Sequence, residues 1–439
     1  MNSSVFLSNI VEQIQSIAPA RIVGSVVRTE GTTIAAVGFP APIGALARVE
    51  RCDESEGLLA EVIGFRDNLT LLYSYSELTG VRRGAKIELS KTTPWLATGD
   101  ELLGRVVDAF GRTIDSGPAP VLTSRVRYDR KPPEPCARPR IETALSTGVR
   151  AIDALLTCGQ GQRIGIFAGS GVGKSVTLGM MTRYTDADVV VVGLIGERGR
   201  EVNDFIEREL GVEGRKKSVV VVSTSSEPPL MRVRAAYAAI SIAEYFRDQG
   251  KNVLFLMDSL TRFAMAQREI GLAAGEPPTS RGYTPSVFAL LPRLVERAGR
   301  SDTGSVTAFF TVLVEGDDKH DPICDAVRGL LDGHIWLSRK LSARGYYPAI
   351  DVLESVSRLA PVVCSREHWE LANEVRKIVG VYADAEDLIN VGAYKAGSSP
   401  DIDRAIAMKP KIDKFLKQQM FERSTFAETL NGLKALFNN

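Results

Sequence analysis

Residues 163–184 read RIGIFAGSGVGKSVTLGMMTRY, and this stretch decides the fold. RIGIF is a short apolar run of strand character. Ala168-Gly169-Ser170-Gly171-Val172-Gly173-Lys174-Ser175 follows it and precedes a helical pattern. Strand, glycine-rich loop, Gly-Lys-Ser and helix in that order make a P-loop, GxxxxGK[ST], here with Ala168 in the first position. The glycines let backbone N–H groups turn inward around phosphate oxygens. The helix N-terminus adds its positive end. The motif assigns Gly169, Ser170, Gly171, Val172, Gly173, Lys174, Ser175 and Val176 to binding ATP. Lys174 should contact the β- and γ-phosphates, and Ser175 should ligate Mg²⁺.

A P-loop of this kind needs carboxylates nearby. Asn252–Met257 is an apolar, strand-like run that ends in Asp258. At the C-terminal edge of a parallel sheet Asp258 would face the phosphate site and hold Mg²⁺, mostly through water. Val189–Ile195 ends in Gly196-Glu197-Arg198-Gly199-Arg200-Glu201, so Glu197 sits at a strand end as well. Hydrolysis requires a group that positions and polarises the attacking water. Glu197 is the candidate, with Arg198 beside it to stabilise the γ-phosphate or orient Glu197. Spacing alone leaves a surface loop of paired charges equally open.

Around this centre, from Gly148 to about Ser357, near-continuous apolar runs alternate with helical segments. RIGIFA, DVVVVGLI, SVVVVS, NVLFLMD and VTAFFTVL suit strands buried on both faces. The alternation predicts an α/β core with a parallel sheet. Upstream, six short β-rich runs between Arg21 and Leu89 recur at a pitch of about ten residues and predict a small closed barrel or sandwich. Pro132, Pro133, Pro135 and Pro139 mark an extended connector. Beyond Arg358 the pattern is helical, with a capping box expected at Thr425 and Glu428. Residues 5–17 carry Leu7, Ile10, Val11, Ile14 and Ile17 at helical spacing, as either a packed helix or a partner-docking one. The expected division is 1–20 an amphipathic helix, 21–90 the barrel, 91–360 the P-loop core with its connector, and 361–439 a helical domain.

Composition narrows the classes. The chain has 439 residues, with 54 Lys and Arg against 53 Asp and Glu, a formal net charge of +1. That balance argues against coating nucleic acid through bulk charge. The five cysteines are scattered without CxxC spacing, and there are three histidines. A reduced, cytoplasmic protein without a structural zinc site is expected. The first residues lack the basic start and cleavage site of a secretory signal.

GERGREVNDFIE, SEPPLMRVRAA, MDSLTRFAMAQREIGLAAGEPP, RGYTPSVFALLPRLVERAG, VEGDDKHDPI, LDGHIWLSRKL and YYPAIDVLESVSR together carry a resemblance. The sequence resembles the type III secretion ATPases, relatives of the catalytic subunit of rotary ATP synthases, from about residue 20 to the C-terminus. GSGVGKSVTLGMMTRYT and SEPPLMRVRAA look more like the flagellar export branch than the virulence injectisome branch.

The resemblance implies a RecA-like P-loop ATPase core between an N-terminal small β-barrel and a C-terminal helical domain. It implies ATP and Mg²⁺, with Glu197 as the catalytic glutamate and Arg198 its neighbour in the GER motif. Lys174, Ser175 and Asp258 match the phosphate, metal and Walker B positions. Arg358, in SVSR, matches an arginine finger supplied by the neighbouring subunit. Tyr347 matches an aromatic that stacks on adenine, although a strand-packing role also suits it. Gly271–Tyr283 resembles a pore-facing loop, with a rigid Pro-rich turn as the other reading.

Homohexamer formation is implied, with peripheral attachment at the inner-membrane base of an export apparatus. The implied partners are a stator or regulator at the N-terminal helix, export gate and stalk proteins, and chaperone–cargo complexes. Nucleic acid is not among them. Two other classes stand beside this reading, a rotary synthase subunit and a ring-shaped RNA or DNA translocase. A translocase wants a basic, aromatic groove on the barrel. The barrel region instead clusters Glu50, Asp53, Glu54 and Glu56.

Overall fold

The structure is a computed structural model that describes residues 21–52, 56–92, 95–314, 316 and 318–438. The N-terminal helix expected over residues 1–20 lies outside the described residues, as do Asp53 and Glu54 of the acidic cluster.

Strands β1 (Val23–Glu30), β2 (Thr33–Val37), β3 (Leu46–Val49), β4 (Leu58–Arg66), β5 (Leu69–Ser74) and β6 (Lys86–Lys91) close into a barrel. Their order is β1-β2-β5-β4-β3-β6, with β6 pairing back onto β1. Closure leaves no free sheet edge in this small unit. Ile34, Ala36, Val49, Val62, Leu72 and Ile87 fill its interior, all fully buried.

The core sheet uses β7 (Val106–Val107), β8 (Arg163–Ala168), β9 (Val189–Glu197), β10 (Ser218–Thr224), β11 (Asn252–Asp258), β12 (Ser305–Leu313), β13 (Gly333–Leu337) and β14 (Ile350–Ser357). They lie in the order β14-β13-β8-β12-β11-β9-β10-β7. Every pairing along that path is parallel except the one between β14 and β13. The sheet buries both faces, which is why its strands read as unbroken apolar runs rather than alternating ones. Along β9, Val189, Val191 and Ile195 enter one apolar cluster and Val190, Val192 and Leu194 the other.

Helix α1 (Lys174–Tyr184) follows β8, α2 (Pro229–Asp248) follows β10, and α3 (Leu260–Ala274) follows β11. The alanines 235, 236, 238, 239 and 243 of α2 are all fully buried and let this helix approach the sheet closely. The chain ends in α4 (Arg366–Asn390), α5 (Pro400–Leu416) and α6 (Phe426–Ala435). A capping box starts α6: Glu428 N–H donates to the Thr425 hydroxyl, and Thr425 N–H donates to the Glu428 carboxylate.

Barrel and core meet through charge set against aromatic rings. Arg234 of α2 lies 4.2 Å from the Tyr128 ring centre, 4.6 Å from that of Phe110 and 5.6 Å from that of Tyr75. Its guanidinium also donates to Tyr75 Oη at 3.0 Å. Arg66 of β4 reaches across to donate to the Ala274 carbonyl, one of the orphan acceptors ending α3. Deeper in, Arg297 and Glu244 are each 1% exposed and pair through two hydrogen bonds of 2.9 and 2.5 Å. Arg297 also donates to the Tyr128 carbonyl and to Ser241 Oγ, so every side of the buried charge is answered. Removing one member strands the other in a medium that cannot solvate it. Glu244→Ala should therefore cost about 3–5 kcal/mol in chemical denaturation, whereas a loss below about 1 kcal/mol would be that of a solvated surface pair.

Candidate active site

Parallel strands all end on one edge, and the P-loop residues gather there. Ala168, the last residue of β8, pairs with Leu313 of β12 and Leu337 of β13. The chain then turns through Gly171 and Gly173 at φ 79° and 90°, the left-handed region that glycine enters without penalty. Gly173 is the residue before the first turn of α1, so Lys174 and Ser175 begin the helix with their N–H groups unpaired within it. Val172 is buried and anchors the loop, while Ser170, Gly171 and Ser175 are exposed.

Asp258 ends β11 level with Leu194 of β9, and Glu197 lies three residues further out on β9. Lys174 Nζ contacts Asp258 Oδ1 at 2.5 Å and lies 3.5 Å from Glu197 Oε1. Thr311 of β12 also donates to Asp258 Oδ1, at 2.7 Å. Thr311 is a functional neighbour that sequence reasoning missed. Its one signal is a hydroxyl within the apolar run VTAFFTVL.

The electrostatics follow from burial. Glu197 is raised from 4.5 to about 7, first by burial and then by the Asp258 charge, with Lys174 pulling the other way. Glu201, one turn on, adds a further upward push that spacing had not flagged. Burial opposes the charge on Lys174, yet Asp258 and Glu197 outweigh it and hold the ammonium above its ordinary value. Glu197 Oε1 is shielded from solvent and has no hydrogen-bond partner. A buried acceptor left open at a proton affinity near neutrality is suited to receive a proton from water.

The remaining sequence candidates fall in three places. Arg198 points outward, 77% exposed, and its nearest carboxylate is Glu201 at 3.9 Å rather than Glu197. Tyr347 sits over the P-loop: a methyl group built on Gly173 would lie 3.3 Å from Tyr347 Cε1. Arg358 is not brought to this edge at all. β14 runs antiparallel to β13, with Ile350 beside Leu337 at the P-loop end and Ser357 beside Gly333 at the other. Arg358 N–H donates to the Asp332 carbonyl, five β13 steps from Leu337, which puts it about 17 Å down the sheet from the P-loop edge. It is exposed there, with no ion pair among the described residues.

The donor set tests the fit of a metal. Among the described residues no cluster of three or more Asp, Glu, His or Cys side chains could enclose one. One hydroxyl, Ser175, and one strand-end carboxylate, Asp258, suit Mg²⁺, which keeps its waters and takes other ligands from phosphates. The loop segment 275–284 lies apart, its Arg281 bonded to Asp318 at 2.6 Å and to Asp321 at 3.3 Å.

A P-loop, two strand-end carboxylates and a parallel sheet beside a closed barrel define a RecA-like P-loop ATPase. Comparisons narrow the class. Residues 20–90 and 148–357 match the β-barrel and nucleotide-binding domains of the ATP synthase alpha/beta family. Residues 364–435 match the T3SS EscN ATPase C-terminal domain. The chain is 50% identical over 417 residues to the flagellum-specific ATP synthase of Bacillus subtilis, covering 95% of each. It is 46% identical over 424 residues to the type 3 secretion system ATPase of Xanthomonas euvesicatoria, covering 97% and 96%. It superposes with TM-score 0.88 and 43% identity on assembled EscN in complex with its central stalk EscO, from enteropathogenic E. coli, covering 94% of this chain and 99% of that one. The chain belongs to the type III secretion ATPase family and is an ATP-hydrolysing enzyme.

The raised Glu197 carries a stability cost whose sign is fixed. A carboxyl favoured in its protonated form when folded costs nothing below about pH 4.5, and its penalty grows as pH rises through about 7. Glu197→Gln should therefore stabilise the nucleotide-free protein by about 2–3 kcal/mol at pH 8 and leave it unchanged at pH 4.5. Denaturation midpoints at the two pH values check this. An equal effect at both would sink it.

Proposed function

We propose that the chain acts as a homohexameric ring whose ATP hydrolysis energises protein export through a type III apparatus of the flagellar branch. The observation that carries the ring is the position of Arg358. The P-loop edge holds the cation Lys174 and two carboxylates, and the arginine expected to complete it stands at the far end of the sheet. A neighbouring copy could present its Arg358 at this edge, and one kind of chain then plays both parts at every interface. The relatives named for flagella and for type 3 secretion, and assembled EscN with its central stalk EscO, support a ring with a stalk partner; cargo release or unfolding is the work this reading assigns to it. The identity to type 3 secretion ATPases supports an injectisome as the second reading.

In this mechanism Tyr347 stacks on adenine and the P-loop N–H groups hold the phosphates. Lys174 turns from Asp258 toward the β- and γ-phosphates as the nucleotide enters. Ser175 and Asp258 hold Mg²⁺, which when bound offsets phosphate charge. Glu197 orients water in line with the γ-phosphate and accepts its proton, helped by a proton affinity already near neutral. The neighbour's Arg358 stabilises charge that develops in the transition state. Arg198, solvent-exposed and beside Glu201, is given the γ-phosphate role rather than that of orienting Glu197. Among the described residues no helix is long and apolar enough to cross a membrane, which suits peripheral attachment at the cytoplasmic base of the apparatus.

Two inactive variants test the arrangement together. Glu197→Gln should bind nucleotide and lose turnover, and Arg358→Ala should lose turnover by about 10³-fold or more while keeping its own site. Mixed one to one, they should regain about a quarter of the parent rate, because that share of interfaces joins an intact site to an intact arginine. A mixture as inactive as its components would refute supply in trans. Activity in Arg358→Ala alone would refute the arginine's role.

A further inference from the structure

A cavity lies away from the P-loop, at the junction of barrel and core. It encloses about 490 Å³, within the range of small-molecule sites. Arg48 of β3, Lys91 of β6, Tyr75, Trp95, Arg112 and Arg234 of α2 are among its lining residues. No carboxylate lines it among the described residues. Two of the four cations are answered nearby, Arg112 by Asp108 at 2.8 Å and Arg234 by Glu61 at 3.6 Å. Arg48 and Lys91 have no ion pair among the described residues, leaving two positive charges at the rim.

The inner wall carries a second, independent signal. Trp95 Nε1 and Arg234 Nε are both shielded from solvent, and neither has an acceptor. Arg234 is 7% exposed, so this is an N–H of a buried side chain rather than a surface group. The wall is also aromatic: Tyr75 and Phe110 pack edge to face at 5.1 Å, and Arg127 lies 5.9 Å from the Trp95 ring centre. Rings and guanidinium planes are stacking partners for a flat ring, and they tolerate any ring. Uncompensated cations at the mouth and aromatic side chains alongside describe a receptor for one chemical class.

We propose that this cavity is a second ligand site, separate from the P-loop, for an organic phosphate that carries a planar ring, a nucleoside monophosphate in its simplest form. The phosphate pairs with Arg48 and Lys91. The ring lies against Trp95 and Tyr75. The walls come from both barrel and core, so an occupant bridges the two. The site does not depend on the export assignment.

The test is calorimetric titration of AMP and of UMP into the full chain saturated with Mg-ADP, so that the P-loop is filled. One additional site per chain is expected for both nucleotides. Arg48→Ala combined with Lys91→Ala should weaken it by at least about tenfold, as should Trp95→Leu. Trp95→Phe, which keeps a ring, should weaken it less, and ATP turnover without added monophosphate should stay at the parent level in each variant. No binding at millimolar AMP or UMP overturns the proposal. So does binding that survives these substitutions, or inorganic phosphate titrating the site as tightly as AMP. A site present in the monomer but lost on ring assembly also overturns it, since a neighbouring chain would then be the occupant.

Discussion

One ammonium group, Lys174 Nζ, stands between two carboxylates at the edge where the parallel strands end, and the candidate active site is built around it. Asp258 and Glu197 repel each other, and burial raises the cost of their charge. Lys174 offsets part of that cost; it touches Asp258, as Thr311 does, and stands 3.5 Å from Glu197. Glu197 is left half served, with one buried oxygen that has the ammonium at 3.5 Å but no hydrogen bond, and a proton affinity near neutrality. An unequal sharing of one cation thus gives the two carboxylates different surroundings, Asp258 held by Lys174 and Thr311 and Glu197 raised toward neutrality.

That arrangement requires the sheet to be parallel around it. Only then do β8, β9, β11 and β12 deliver their last residues to one edge. The exception, β14, matters as much. By running against β13 it places Tyr347 near the P-loop at one end and Arg358 at the other. The chain therefore carries a nucleotide site and the arginine proposed to complete a neighbour's, held apart by the length of a strand. A rigid sheet cannot fold one onto the other, so the geometry favours assembly over a self-sufficient monomer.

Much of this was legible in residue order. Gly169–Ser175 is a local motif whose chemistry depends on backbone conformation within a few residues. Asp258 and Glu197 could be marked because each follows an apolar run, and strand ends in such sheets face one edge. Thr311 could not be marked. It becomes relevant only because β12 pairs beside β11, a neighbour relation that spacing does not encode. Arg198 shows the converse. Adjacent in sequence to Glu197, it turns outward, since successive residues at a strand end point to opposite sides. The pairs that join barrel and core were equally silent. Arg234 with Tyr75, and Arg66 with the Ala274 carbonyl, each connect residues more than fifty positions apart.

The sequence by itself determined the elements and the chemical inventory: a barrel, a nucleotide-binding core, a helical end, and the residue types that phosphate hydrolysis requires. Periodicity, turn chemistry and the glycine-rich loop are short-range properties, written in the order of residues. Only the tertiary structure decided which charges meet and which do not. It set Lys174 between Asp258 and Glu197, held Arg358 away from its own P-loop, and enclosed a donor-lined cavity between two units that look unrelated in sequence. Those outcomes depend on distance and local dielectric, and both are set by how the strands pair and pack.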